Sequence, residues 1–195
     1  MPIKIIWTTL RTSAVLFIVC CVIYQLAITG IAKVLMPYQA SGSLMYNSKH
    51  EVIGSALIGQ QFTEPQFFQG RVSSIDYNAD GSGSSNLAPS NPELIKRMQA
   101  SIAQWKQQNP NVPVSALPMD LITNSASGLD PDISPAAALA QVPRISKLTG
   151  IAEDKLDALI TQYTNPPQLG MLGDAAVNVL KLNIGLQQLR AGASS

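Results

Sequence analysis

One uninterrupted apolar stretch dominates the pattern of hydrophobic and polar positions in this chain. The 21 residues from Thr12 to Ala32 carry no charge, and Arg11 and Lys33 bound them. A helix of this length reaches about 30 Å, the thickness of the hydrocarbon core of a bilayer, and satisfies its own backbone hydrogen bonds there. We therefore predict a short N-terminal segment over residues 1–11, a transmembrane helix over 12–36 and a single soluble domain over 37–195.

A cleavable signal peptide and a buried core helix are the alternatives to a membrane span. The apolar region of a signal peptide runs about 7–15 residues and ends at a small-x-small cleavage site, so this stretch is too long. A core helix would ordinarily show a polar face, and only Thr12, Ser13, Gln25 and Thr29 interrupt the apolar surface. Length therefore favours a retained anchor.

Small side chains line one stripe of the predicted span, and Gln25 is a polar residue within it. Membrane helices associate through such small residues and through hydrogen bonds between polar side chains. The candidates for helix packing are Ser13, Cys20, Gln25, Ala27 and Gly30. The alternative for Gln25 is a position near the membrane interface, beside Tyr24.

Beyond residue 37 the apolar positions recur at shorter intervals, typical of a globular domain. Helices are predicted from a cap at Ser90 or Asn91 to Gln108, from Ser134-Pro135 onward with a kink or break at Pro143, and from Ala152 to Tyr163. Strands are predicted near Val52–Gly59, Met119–Thr123 and Ala176–Asn183, the last followed by a short helix. Strands flanked by helices indicate an α+β, or mixed α/β, domain.

Charge changes this picture in one respect, the orientation of the span. The net charge is +1, and all 12 acidic residues lie at or beyond Glu51. From Pro37 onward, 10 basic residues stand against 12 acidic ones, so the balance is −2 and gives no electrostatic footprint for nucleic acid. Basic residues flank both ends of the span. We expect a cytoplasmic N-terminus and an exported domain, because long domains cross membranes largely regardless of charge.

Candidate chemistry is confined to two loops. Gly81, Ser82 and Gly83 superficially resemble a phosphate-binding loop, but no lysine follows them as GxxxxGK[ST] requires. A second loop carries polar residues that are candidates for a surface facing a partner or an ion pathway: Asn124, Ser125, Ser127, Asp130 and Asp132.

The second loop also raises the possibilities of a hydrolase and of a metal site. A nucleophile at Ser125 or Ser127 needs a base, but His50 is the sole histidine of the sequence and no GxSxG motif occurs. Oxygen ligands from Asp120 and the two later aspartates do not follow the pattern of a calcium loop. Both cysteines, Cys20 and Cys21, fall inside the span. We therefore expect no metal site and no tightly bound cofactor, with an anchored hydrolase kept as an alternative.

Four segments in order resemble the C subunit family of the Kdp potassium-transporting ATPase: GSALIGQQF, SGSSNLAPSNPEL, DLITNSASGLDPDISPAAALAQVPRI and LGMLGDAAVNVLKLNIGL. The resemblance spans nearly the whole chain. Departures are Ser84 in place of a second glycine, Val72 where proline often follows Gly70-Arg71, and Asp132 where histidine is frequent.

The resemblance implies a noncatalytic, single-pass subunit of a bacterial plasma-membrane complex that takes up potassium. Its partners would be a channel-like potassium-binding subunit, a P-type ATPase subunit, a small single-span subunit and membrane lipid. The chain lacks the DKTGT phosphorylation motif. For this family a role as a catalytic chaperone that raises the ATP affinity of the ATPase subunit is also proposed, which makes Ser82, Gly83, Ser85 and Asn86 candidates for a nucleotide contact. The alternative is an extracytoplasmic assembly module of another complex.

Overall fold

The structure, a computed structural model, describes residues 2–47 and 49–193; Met1, Ser48, Ser194 and Ser195 lie outside it. The chain separates into two compact units, one ending at Ile53 and the other beginning at Gly54. A mixed set of helices and short strands in the second unit confirms the predicted α+β class.

The first unit is dominated by one long apolar helix. It comprises α1 (Pro2–Phe17), a π-helical stretch (Ile18–Ile23) and α2 (Tyr24–Leu35). The stretch Ile3–Leu35, 33 residues, is long and apolar enough to cross a membrane, and none of it is buried inside the protein. The helix is thus longer than the predicted span, because the N-terminal segment continues it. It ends at Leu35, two residues before Pro37, which cannot extend it.

Short elements follow the long helix. A single helical turn, α3 (Pro37–Ala40), precedes β1 (Leu44–Tyr46) and β2 (Val52–Ser55), which form a two-stranded sheet. The strand predicted at residues 52–59 is therefore present but shorter than expected, since it ends at Ser55. Its second half is replaced by a turn, in which the Ser55 hydroxyl accepts a hydrogen bond from Leu57 N at 3.1 Å.

The second unit builds its helices where the apolar spacing places them. They are α4 (Pro92–Gln108), α5 (Pro135–Leu139), α6 (Val142–Thr149), α7 (Glu153–Tyr163) and α8 (Val179–Ala193). Asn91 caps α4, since its side-chain oxygen accepts from Glu93 N at 2.8 Å. The predicted division near Pro143 is confirmed, because α5 ends at Leu139 and Pro143 lies in the first turn of α6.

A three-stranded antiparallel sheet carries the core. Strands β3 (Asp132–Ile133), β4 (Thr164–Asn165) and β5 (Ala176–Asn178) pair in the order β3-β5-β4, with Ile133 and Thr164 both opposite Val177. Helices α5, α7 and α8 pack against β5, and α6 packs against α7. The largest fully buried apolar side chains among the described residues are Phe68, Ile145, Leu156, Val177, Leu182 and Leu186.

One further strand prediction is wrong and another is too long, each for a local reason. Met119–Leu121 is a 3-10 turn, in which Ile122 N donates to Met119 O at 3.1 Å. The last predicted strand stops at Asn178, whose side-chain oxygen accepts from Lys181 N at 3.1 Å. That bond has the geometry of a helix N-cap, so the following β-branched residue begins α8 instead of prolonging the strand.

Candidate functional site

The two candidate loops lie side by side. Residues 82–86 and residues 124–132 form one surface, which we call the paired-loop surface. Gly83 N donates to Ser127 O at 2.9 Å, and the Ser82 hydroxyl donates to the same carbonyl at 3.3 Å. The sequence motif proposed for nucleotide contact and the motif proposed for partner contact are therefore a single feature of the fold.

Asn124 is the centre of this surface. Its Nδ2 donates to the Ser84 hydroxyl at 2.6 Å, and its Oδ1 accepts from the Arg97 guanidinium. Arg71 Nη2 donates to its backbone carbonyl at 3.4 Å, and Val72 forms an isolated parallel bridge with it. The Asn124 side chain thus ties the second loop to the first loop and to α4, and the Asn124 backbone ties it to the chain before the first loop.

Gly128 allows the close approach of the two loops. Its φ is +70°, a region that favours glycine, and a Cβ there would stand 2.7 Å from Ile75 Cγ1 and 3.1 Å from Gly83 O. The Ser73 hydroxyl donates to Gly128 O at 2.7 Å. A side chain at this position would force the loops apart.

The two candidate nucleophiles are engaged with backbone groups. Ser125 is buried, and its hydroxyl oxygen accepts from Gly128 N at 2.8 Å. The Ser127 hydroxyl oxygen accepts from Leu129 N at 3.1 Å. Such short-range bonds are how serine stabilises turns, so both hydroxyls hold the shape of the loop.

The charge of Asp130 is balanced within the site. Arg71 Nη1 lies 2.9 Å from Asp130 Oδ2, with the two side chains 26% and 29% exposed. The other carboxylate oxygen accepts from Asp132 N at 3.1 Å. Tyr77 donates its hydroxyl to Arg71 O, and burial raises the pKa of this phenol, with the Asp130 charge adding to the effect.

Asp132 and Asp120 have separate roles. Burial raises the pKa of Asp132, while the Asn178 amide, 3.2 Å from its carboxylate, opposes that rise. Asp120 accepts from Ser134 N at 2.7 Å, and the Ser134 hydroxyl accepts from Ala137 N at 3.0 Å. The acid that supports the start of α5 is therefore Asp120, from the segment before the loop.

The rim of the paired-loop surface is open. Ser82, Ser85 and Asn86 are exposed. A Cβ added at Gly81 or Gly83 would meet no atom within 4 Å, so the fold itself does not require glycine there. The nucleotide contact of Ser82, Gly83, Ser85 and Asn86 stays a prediction.

The candidates for membrane-helix packing all lie on the long helix. Ser13 belongs to α1, Cys20 to the π-helical stretch, and Gln25, Ala27 and Gly30 to α2, and each is exposed. Their role in helix association stays a prediction.

Sequence reasoning missed the two arginines of the site. Lys96 and Lys106 on α4 are exposed, but Arg97 on the same helix is half-buried and donates to Asn124. Its position three residues after the inward-facing Leu94 is the signal that was available. Arg71 follows an irregular stretch, so no periodic pattern in the sequence indicated that it would be part of the site.

A long apolar helix followed by a small α+β domain defines a membrane-anchored protein. The family model described as K+-transporting ATPase, c chain, matches residues 6–188. The chain belongs to this family, KdpC. A protein named potassium-transporting ATPase KdpC subunit from Bacillus cereus (strain B4264) is 58% identical over 180 residues, covering 92% of this chain and 93% of the relative. Proteins of the same name from Bacillus anthracis (strain CDC 684 / NRRL 3495) and Bacillus thuringiensis subsp. konkukian (strain 97-27) are each 57% identical over the same shares.

Family membership makes the chain a subunit of the potassium-transporting ATPase and implies partner subunits. The single apolar helix indicates a single-pass membrane anchor.

Proposed function

We propose that this chain is a noncatalytic subunit of a high-affinity, ATP-driven potassium uptake complex, and that it assembles or stabilises the channel-like subunit and the P-type ATPase subunit. A small single-span subunit and membrane lipid complete its surroundings. The observation that carries the proposal is family membership over residues 6–188, joined to one apolar helix of 33 residues.

The side chains of the paired-loop surface support a structural role. The hydroxyl oxygens of Ser125 and Ser127 accept from backbone N–H groups, and Asp130 is paired with Arg71. These groups are engaged in holding the loops. A surface built in this way presents a fixed shape to a partner, which suits assembly better than group transfer.

The N-terminus is cytoplasmic in this proposal, and the α+β unit is extracytoplasmic. The topology is tested by labelling Gln162→Cys, an exposed position on α7, in a variant whose Cys20 and Cys21 are replaced by alanine. A membrane-impermeant maleimide is expected to react in intact cells. Reaction only after permeabilisation would place the domain in the cytoplasm.

The topology also decides the second candidate role, the catalytic chaperone that raises ATP affinity. Ser82, Ser85 and Asn86 are exposed and open to a ligand. An exported domain has no access to cytoplasmic ATP, so labelling in intact cells counts against this role, and labelling only after permeabilisation favours it.

Co-purification tests the main proposal. The tagged full chain, extracted from its membrane with detergent, is expected to retain the channel-like and ATPase subunits. Deletion of the chain is expected to abolish ATP-driven potassium uptake at low external potassium. Recovery of the chain alone would favour an assembly module of another complex. If Ser125→Ala abolished the activity of the chain while assembly and folding were unchanged, this result would favour the alternative of an anchored hydrolase.

A further inference from the structure

A recess lies away from the paired-loop surface. It has a volume of about 690 Å³ and lies between the C-terminal half of α4, the turn after that helix and α6. We call it the α4–α6 cleft. Arg144 and Lys147, one turn apart on α6, are the charged residues among its described lining, and both are cations. The rest of the lining consists of amide side chains and apolar groups such as Val112 and Leu148.

Arg144 is buried without an anionic partner. It is 7% exposed, and within residues 2–47 and 49–193 it forms no ion pair. Burial lowers its pKa to about 10. Isolated charges in a protein interior are costly unless they are paired and hydrogen-bonded, so a guanidinium in this position raises the affinity for any carboxylate that reaches it.

Neutral acceptors hold the guanidinium in place. Nε donates to Asn109 Oδ1 at 3.0 Å, Nη1 and Nη2 donate to Phe67 O at 3.2 Å, and Nη2 also donates to Gln141 Oε1 at 2.7 Å. These four bonds leave one of the five guanidinium N–H groups without an acceptor among the described residues. The side chain is thus oriented by the fold, with its charge uncompensated.

Lys147 adds a second positive charge at the exposed rim of the same cleft. The exposed apolar side chain of Leu148 lies beside it. A ligand that suits these features carries a carboxylate for the two cations and an apolar group for the walls. An acidic peptide segment meets both requirements, whereas a free inorganic anion would meet only the first.

We infer that the α4–α6 cleft is a docking site for a segment of a partner subunit that carries an aspartate or glutamate beside an apolar side chain. The inference rests on the proposed function, because the partner is a subunit of the same complex. The carboxylate forms an ion pair with Lys147 at the rim and is attracted by the positive charge of Arg144 below it. The cleft is separate from the paired-loop surface.

The test is zero-length carbodiimide crosslinking of the purified membrane complex, which joins a lysine amine to a carboxylate in contact with it. Mass spectrometry is expected to find Lys147 coupled to an acidic residue of another subunit. Lys147→Arg keeps the charge but removes the reactive amine, so this crosslink is expected to disappear while assembly is unchanged. Lys155→Arg, at an exposed lysine of α7 outside the cleft, is the matched control and is expected to leave the crosslink intact.

Charge reversal provides a second measurement. Lys147→Glu is expected to lower the affinity of the chain for the rest of the complex about tenfold, the factor that corresponds to about 1.4 kcal/mol. Lys155→Glu is expected to change it little. Lys147 and Lys155 are both exposed, so neither substitution is expected to disturb folding. Arg144 is buried, and its substitution would be expected to destabilise the fold.

Coupling of Lys147 only within this chain, or to no carboxylate, in a complex whose subunits remain together would overturn the inference and leave the proposed function standing. An unchanged affinity in Lys147→Glu would also overturn it and would indicate a small-anion site at most. Failure of the subunits to co-purify at all would overturn both.

Discussion

Asn183 and Phe68 form a reciprocal pair of hydrogen bonds in the core of the second unit. Phe68 N donates to Asn183 Oδ1 and Asn183 Nδ2 donates to Phe68 O, each at 2.9 Å, and the two residues are 0% and 2% exposed. Gln141 makes the same pair of bonds with the backbone of Gln69, at 2.8 and 3.1 Å. Two amide side chains therefore take the place of a neighbouring strand and hold an irregular segment against the core.

Removal of the Asn183 amide is expected to destabilise the domain strongly. Asn183→Ala leaves the N–H and C=O of Phe68 buried without partners, and each unmet group costs about 1–3 kcal/mol. We expect the free energy of unfolding to fall by about 2–6 kcal/mol. Urea unfolding of the detergent-solubilised full chain, followed by circular dichroism, measures it, with Gln187→Ala on the exposed face of α8 as the control. Equal midpoints for the two variants would contradict the prediction.

Gly59 is expected to tolerate no side chain. Its N–H donates to Leu129 O at 2.8 Å, and an added Cβ would stand 2.5 Å from Asp130 O, a backbone atom that cannot turn away. Gly59→Ala is therefore expected to displace the 124–132 loop and to cost about 1–3 kcal/mol, as overpacked positions do. Gly81→Ala, where a Cβ meets nothing within 4 Å, is the matched control. Amide hydrogen exchange of the loop in both variants checks it, and unchanged protection in Gly59→Ala would refute it.

Arg71 and Asp130 are expected to be energetically coupled. The pair lies at 2.9 Å and is only partly exposed, so water screens it less than a fully exposed pair. A double-mutant cycle with Arg71→Met and Asp130→Asn is expected to give a coupling energy of about 1 kcal/mol. Lys96, exposed on α4, offers a control when Lys96→Met is combined with Asp130→Asn, where the two effects should simply add. Additivity for the first pair as well would show that the ion pair contributes nothing.

Asp132 is expected to lower stability as the pH rises. Burial raises its folded-state pKa above the ordinary value of 3.8, so the folded protein binds this proton more tightly than the unfolded chain does. The free energy of unfolding contributed by this group therefore falls as the pH rises from 3.8 through the raised folded-state pKa. Asp132→Asn removes the loss while keeping an oxygen for the Asn178 amide.

The variant is accordingly expected to be more stable than the parent chain at pH 7, with a difference that shrinks toward pH 4. Thermal unfolding across this pH range measures the difference. Glu153→Gln at the exposed start of α7 serves as a control for the general effect of removing one acid. A difference between Asp132→Asn and the parent that does not vary with pH would contradict the assignment.

Several features followed directly from the order of residues. The uncharged run from Thr12 to Ala32 determined a long apolar helix, since hydrophobicity over this length has few other structural outcomes. The Asn91 cap and the break near Pro143 were equally legible, because capping and the missing proline N–H act within a few residues. The family resemblance also rested on local segments that keep their order.

Tertiary structure decided the rest. The 82–86 and 124–132 loops are about forty residues apart in sequence, and the Gly83 and Ser127 backbones meet only because the fold aligns them. The inward position of Arg97 and the pairing of Arg71 with Asp130 likewise depend on neighbours distant in the chain. Asn178 ended a predicted strand because its side chain capped a helix whose packing against the core was not visible locally. Short-range propensities act between residues that are neighbours along the chain, so they can be recognised in the sequence. Burial and charge pairing join residues that are distant along the chain, so they became visible only in the tertiary structure.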